Sequence, residues 1–127
     1  MPPLIRSNPL VWLDIPVVDL DRAIAFYQPV LDWTLDDQRP QADMAVFRHG
    51  RGEVAIALIL QSTAPGGLGP LPYLNCHGRL NLAMAQVEPR GGIIEQPIHS
   101  LAPFGFRAVI RDSEGNRVAL HSMGMND

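Results

Sequence analysis

Few side chains in this sequence of 127 residues stand where chemistry is done, and their types favour binding over turnover. Its histidines are His49, His77, His99 and His121, and no two keep the His-x-x-x-His spacing of a helical metal site. There is no nucleophile elbow and no paired-carboxylate spacing. Cys76 is the single cysteine, so no disulfide can form within the chain. With no activating neighbour in the pattern, it reads as a small buried hydrophobe. What remains is Asp14 and His121, the aromatics Trp12 and Tyr73, the amide of Asn75, and the guanidinium groups of Arg107 and Arg111. Such a mixture, an apolar body with a few polar groups to fix orientation, is that of a small-molecule pocket.

Strands must carry most of these groups. Leu10 to Val17 is strand-like, and alternation puts Trp12 and Asp14 on one face. Asp19 then serves as an N-cap, with Asp21 in the first turn of a helix. Leu20, Ala23, Ile24, Tyr27 and Leu31 recur at helical spacing, and Pro29 is expected to end or kink that helix. Strands follow near Trp33 to Leu35, Met44 to His49 and Glu53 to Leu60. Ser62 to Pro70, STAPGGLGP, reads as a linker. No Gly-Lys-Ser/Thr follows its glycines, so it is no phosphate loop.

The pattern then restarts. Leu71 to Cys76 is strand-like, and Leu80, Ala83, Met84 and Val87 repeat the first stripe sixty positions later. Gly91-Gly92 stops the second helix. Strands are expected at Ile93 to Gln96, Phe106 to Arg111 and Arg117 to His121. Asp112 to Asn116 makes a hairpin turn with Gly115 at positive φ. Alternation sends Arg107, Val109 and Arg111 to one face, with Tyr73, Asn75, Arg117, Ala119 and His121. His49, His77 and His99 fall near turns and are expected to be exposed. The pattern predicts one α+β domain over 1–127: unit one about 8–61, linker 62–70, unit two about 71–123. Each helix covers one sheet face, so the other faces must line a cavity or bury each other.

Apolar residues make up 46% and charged residues 18% of the chain, a globular balance. A net charge of −3 argues against a nucleic-acid footprint. The longest apolar run, Val54 to Leu60, is too short to span a bilayer. MPPLIRSNPL has no apolar stretch of a signal peptide, and a cytoplasmic setting is expected.

LDIPVVDLDRAIAFY (13–27), PYLN (72–75), Gly91-Gly92 and RDSEGNRVALHS (111–122) resemble, in order and spacing, the vicinal-oxygen-chelate superfamily. That group includes glyoxalase I, extradiol dioxygenases, and bleomycin and fosfomycin resistance proteins. Small bacterial lactoylglutathione-lyase-related proteins are the nearest in appearance. The resemblance implies two βαβββ units forming a curved mixed sheet around a cleft. It also implies a divalent metal held by His and Glu from four strands. Those positions fall here on Trp12, the apolar run Val54 to Leu60, Leu71 or Pro72, and Ala119. None donates a lone pair to a cation, so no metal and no cofactor is expected. The expected function is small-molecule binding, with Trp12, Asp14, Tyr73, Asn75, Arg107, Arg111 and His121 as ligand contacts. The competing expectation is a lyase, isomerase or dioxygenase-like enzyme with a non-standard centre using Asp14 and His121. Each residue has a plainer role beside this: Asp14 bonding to backbone or a partner chain, His121 solvated, the arginines as surface charges. Apolar sheet faces that need cover lead to the expectation of a homodimer.

Overall fold

A computed structural model describes residues 9–10, 12–63, 66 and 69–125. The segment read as lacking a signal peptide (1–8), Val11 of the first strand, and 64, 65, 67 and 68 of the linker lie outside the described residues. The first unit runs β1 (Trp12–Val17), α1 (Leu20–Leu31), β2 (Leu35–Asp37), β3 (Met44–Phe47) and β4 (Ala55–Leu60). The second runs β5 (Tyr73–Asn75), α2 (Leu80–Val87), β6 (Ile93–Ser100), β7 (Phe106–Arg111) and β8 (Arg117–Ser122). Strand orders match, β1-β4-β3-β2 in one sheet and β5-β8-β7-β6 in the other. In each, the opening strand lies parallel to the closing one, and the remaining pairs are antiparallel. The fold is α+β, with the βαβββ unit built twice. The strands form two four-stranded sheets rather than one continuous sheet.

The helices start and stop for local reasons. Asp19, with extended backbone, accepts a hydrogen bond from the Arg22 backbone N–H and caps α1. Pro29 does not end α1, which runs two residues further, to Leu31. Proline there forfeits one bond to the Ala25 carbonyl close to the natural end. Asp32, at φ 52°, then closes α1 in the left-handed conformation, its N–H bonding the Gln28 carbonyl. The second helix ends at Val87, and the chain turns through Gly91 at φ 96°. Gly92 approaches so closely that a Cβ would lie within 2.8 Å of Phe26, Val87 and the Arg111 carbonyl.

Most of each stripe is buried, Leu20, Ala23, Tyr27 and Leu31 from α1 and Leu80, Ala83 and Val87 from α2, while Ile24 and Met84 are half-buried at the core's edge. They join Val17, Leu58, Leu74, Ile110, Val118 and Leu120 in one core that spans the two units. A fully buried large side chain contributes roughly 1.5–3 kcal/mol, against about 0–1 kcal/mol for a surface ion pair. The shared core therefore holds the units together. It occupies the helix-covered faces of both sheets, and leaves their other faces bare.

A polar clamp supplements the core. Residues Asp112 to Asn116 join β7 to β8, with Gly115 at φ 94° as expected. Asp112 Oδ1 accepts the backbone N–H groups of Glu114 and Asn116, each at 2.8 Å. Its Oδ2 accepts the Tyr27 hydroxyl at 2.6 Å and the Asn116 amide at 2.9 Å. Glu114 reaches the first unit, accepting from the N–H groups of Val18 and Asp19 and from Arg22.

Candidate functional site on the second sheet

Pairing register turns the bare face of the second sheet into three rows. Asn75 lies opposite His121, His121 opposite Arg107, and Arg107 opposite His99, making a polar row across four strands. In the next row Tyr73 pairs with Ala119, Ala119 with Val109, and Val109 with Gln96. Ala119 and Val109 are short side chains with no solvent exposure, so they floor a shallow trough that the taller side chains on either side cover. Arg117 and Arg111 pair in the third row, and Glu95 of β6 lies between their guanidinium groups.

The first and third rows differ in charge. Glu95 accepts from Arg111 Nε at 2.7 Å and from Arg117 Nε at 2.9 Å. The Arg111 hydrogen bond, with help from Arg117, holds the Glu95 carboxyl below the usual range against the opposing effect of burial. Arg107 has no such partner among the described residues. Its Nε donates to His99 Nε2 at 3.0 Å and its Nη1 donates to the Tyr73 hydroxyl. The Arg107 guanidinium carbon also sits 5.7 Å from the Tyr73 ring centre, a cation–π distance. His99 Nδ1 lies 2.8 Å from the Pro97 carbonyl, which places its proton there and leaves Nε2 to accept. His121 lies 2.7 Å through Nε2 from the Phe104 carbonyl, and its ring approaches Tyr73 edge-on at 6.1 Å.

The expected contacts are therefore divided. Tyr73, Asn75, Arg107, Arg111 and His121 share the bare face of the second sheet. Trp12 and Asp14 lie on the first sheet, bonded to each other by the Trp12 indole N–H at 2.6 Å. Their face is apolar, with Ala55, Ala57, Val46 and Ile59 beside them and the carboxylates of Asp14 and Asp36 at its margins. The two proposed catalytic groups, Asp14 and His121, thus stand on different sheets. No hydrogen bond joins them among the described residues.

His99 corrects an expectation. It is half-buried in the sheet and bonded to Arg107, not exposed in a turn. Sequence reading also passed over Glu95 and Gln96. The expected strand, Ile93 to Gln96, stopped short of His99, whereas β6 continues past Pro97 through two register shifts to Ser100.

The four positions that would hold a metal give a donor set that does not fit one. Trp12 pairs with Ala55 on the first sheet, Leu71 and Pro72 precede β5, and Ala119 lies in the floor of the trough. Among the described residues, no three His, Cys, Asp or Glu side chains converge as a metal-holding group. A separate cleft of about 600 Å³ opens between β1, the segment before β5 and the start of β8, with Leu13, Asp14, Pro16, Leu71, Pro72 and Arg117 in its walls. No helix among the described residues is long and apolar enough to cross a membrane.

Comparison with known proteins agrees with this geometry. Residues 10–50 match the family model described as bleomycin resistance protein-like N-terminal. No curated protein matches the chain. A glyoxalase/bleomycin resistance protein from Albidiferax ferrireducens superposes with a TM-score of 0.72 at 15% identity, over 91% of this chain and 98% of that one. A fosfomycin resistance protein from Listeria monocytogenes, solved with Mn(II) and 1S,2S-dihydroxypropylphosphonic acid, gives 0.66 at 14% identity, over 89% and 90%. Lactoylglutathione lyase from Agrobacterium tumefaciens gives 0.60 at 19% identity, over 89% and 92%. These likenesses establish the fold.

Proposed function

We propose that this chain is a glyoxalase/bleomycin-resistance superfamily protein that binds a small organic molecule without a metal, in the trough of the second sheet. One observation carries this most directly: Ala119, where the resemblance calls for a metal-binding glutamate, is instead the buried floor of a trough with polar walls. An apolar floor between a few fixed polar groups suits ligand capture. The lone buried thiol of Cys76 is consistent with the cytoplasm.

The side chains that cover the trough face outward, and a second copy of the chain would pack over them. The first sheet offers an apolar face with the Asp14 carboxylate at one margin, the Asp36 carboxylate at the other being paired with Arg48. The second offers three arginines against one glutamate. Laid face to face between two copies, they are complementary in shape of charge as well as in need of cover. A homodimer follows, and in it Trp12 of one copy would reach the ligand held by the other.

Metal analysis after mild purification tests the metal-free part, with near-stoichiometric zinc, manganese, nickel or iron counting decisively against it. The binding part is tested with benzamide as a neutral aromatic probe, followed by NMR. Saturable binding is expected, and Trp12→Ala should weaken it by about 1–3 kcal/mol. An unchanged affinity removes Trp12 from the site. Light scattering should report a dimer, and a monomer at all concentrations would remove the second copy.

A further inference from the structure

Resting on that proposal, we infer that Arg107 is an oxyanion site, and that the natural ligand carries a carboxylate or similar oxyanion head at the Arg107 end of the trough. The starting point is what sets Arg107 apart from the ion-paired arginines: like Arg79, which donates to the Val30 carbonyl, it bonds only neutral acceptors among the described residues. Arg22, Arg39, Arg48, Arg111 and Arg117 each hold a carboxylate. Arg107 is half-buried and held in place, yet both of its side-chain partners, His99 and Tyr73, are neutral acceptors.

Neutral partners fix a guanidinium without discharging it. Among the described residues, one of its five N–H groups goes to His99 and one to Tyr73, which leaves three. That suffices for a forked pair with a planar oxyanion, the strong form of arginine recognition. His99 is itself locked by the Pro97 carbonyl, so the guanidinium plane is set before any ligand arrives. Preorganisation of this kind lowers the entropic cost of binding.

The surroundings define the rest of the ligand. Val109 and Ala119 lie next to the polar row, covered by their neighbours, and would offer only apolar surface once a ligand displaces the side chains above them. Beyond them stand Arg111 and Arg117, whose charge Glu95 only partly offsets. Four residues of strand separate Arg107 from Arg111, roughly 13 Å, which gives room for an apolar body about the size of one or two rings. The class implied is an aryl or short alkyl acid.

The test uses benzoate, its neutral isostere benzamide, and phenylphosphonate, titrated into the full chain while the arginine Nε–H signals are followed by NMR. Benzoate should bind more tightly than benzamide and shift the Arg107 signal. Arg107→Gln should weaken benzoate about 10- to 100-fold, the value of a hydrogen-bonded charge, and leave benzamide nearly unaffected. Arg107→Lys keeps the charge, loses the fork, and should fall between. It also serves if the glutamine variant does not fold. Arg90→Gln, exposed just beyond the second helix, should change nothing. Tighter phenylphosphonate would assign a tetrahedral head, and tighter benzoate a planar one. Equal affinity for benzoate and benzamide, or benzoate binding indifferent to Arg107, overturns the oxyanion site while small-molecule binding stands. If neither probe binds, both fall.

Discussion

The two ends of the β7–β8 pair hold polar clusters of opposite character. At one end, Asp112, Glu114 and Asn116 are buried, and every acceptor faces a donor supplied by the protein. At the other, Arg107, His99, Tyr73 and His121 are exposed or half-buried, and donors outnumber the charges that would satisfy them. Saturation marks the first cluster as structural, since nothing is left to offer a ligand. Spare capacity on a rigid sheet marks the second as a place to bind. The contrast predicts that substitutions in the clamp cost stability and substitutions on the sheet face cost affinity.

Asp112→Ala should have the largest effect. It strips the acceptor from the Tyr27 hydroxyl, from two backbone N–H groups and from the Asn116 amide, all in a buried place. Unsatisfied buried donors cost about 1–3 kcal/mol each, with partial relaxation, so a net loss of about 3–4 kcal/mol is expected in urea unfolding. A loss below about 1 kcal/mol would show that the clamp is not the structural cluster its saturation implies.

Glu114→Gln should cost somewhat less, about 2–3 kcal/mol at neutral pH, because it turns one oxygen into a donor facing Arg22. The pH dependence sharpens the point. Burial pushes the Glu114 carboxyl up, but Arg22, the Asp19 N–H, Ser113 and the Val18 N–H together bring it below the usual range. A carboxyl lowered in the folded state stabilises above its unfolded pKa, and that stability is lost as pH falls through the folded value. Asp112 runs the other way: burial raises it despite its hydrogen bonds, so its own contribution improves as pH falls through its raised folded value. Wild type and Glu114→Gln should therefore converge in stability as the pH is lowered through the acid range. A gap that stays constant from neutral pH down would show that the charge of Glu114 is not what the clamp uses.

Much of this contrast was legible in the residues. The helix stripes gave the two units because burial on one helix face leaves a period that survives any detail of packing. Asp112-Ser113-Glu114-Gly115-Asn116 declared a turn through Gly115, although not that its carboxylates reach α1 and β1. That link joins residues about a hundred positions apart, as in the Asn116 amide and the Pro16 carbonyl. On the sheet face, alternation placed Tyr73, Arg107 and His121 together. It could not divide Arg111 from Arg107, because the division rests on Glu95, which the register of β6 brings to Arg111 and Arg117. That register shifts twice, which alternation alone does not foresee, and the expected strand stopped short of His99.

The smallest expected effect is the most discriminating. Arg107→Gln should change unfolding free energy by no more than about 0.5 kcal/mol, the ordinary range for a surface position. The groups it would release, the Tyr73 hydroxyl and His99 Nε2, are near enough to solvent for water to replace the guanidinium. The sheet face carries three arginines against Glu95 alone, so removing one also relieves repulsion. Any gain from that relief should shrink as salt is added, since exposed charges are screened beyond about 8–10 Å. Urea unfolding of wild type and variant at low and high salt measures both effects. A loss above about 1.5 kcal/mol would place Arg107 with the buried clamp as a structural group, because that size requires a buried partner left unsatisfied. Near-neutral stability together with a loss of benzoate binding is the pairing a binding surface requires, and Asp112→Ala cannot produce it.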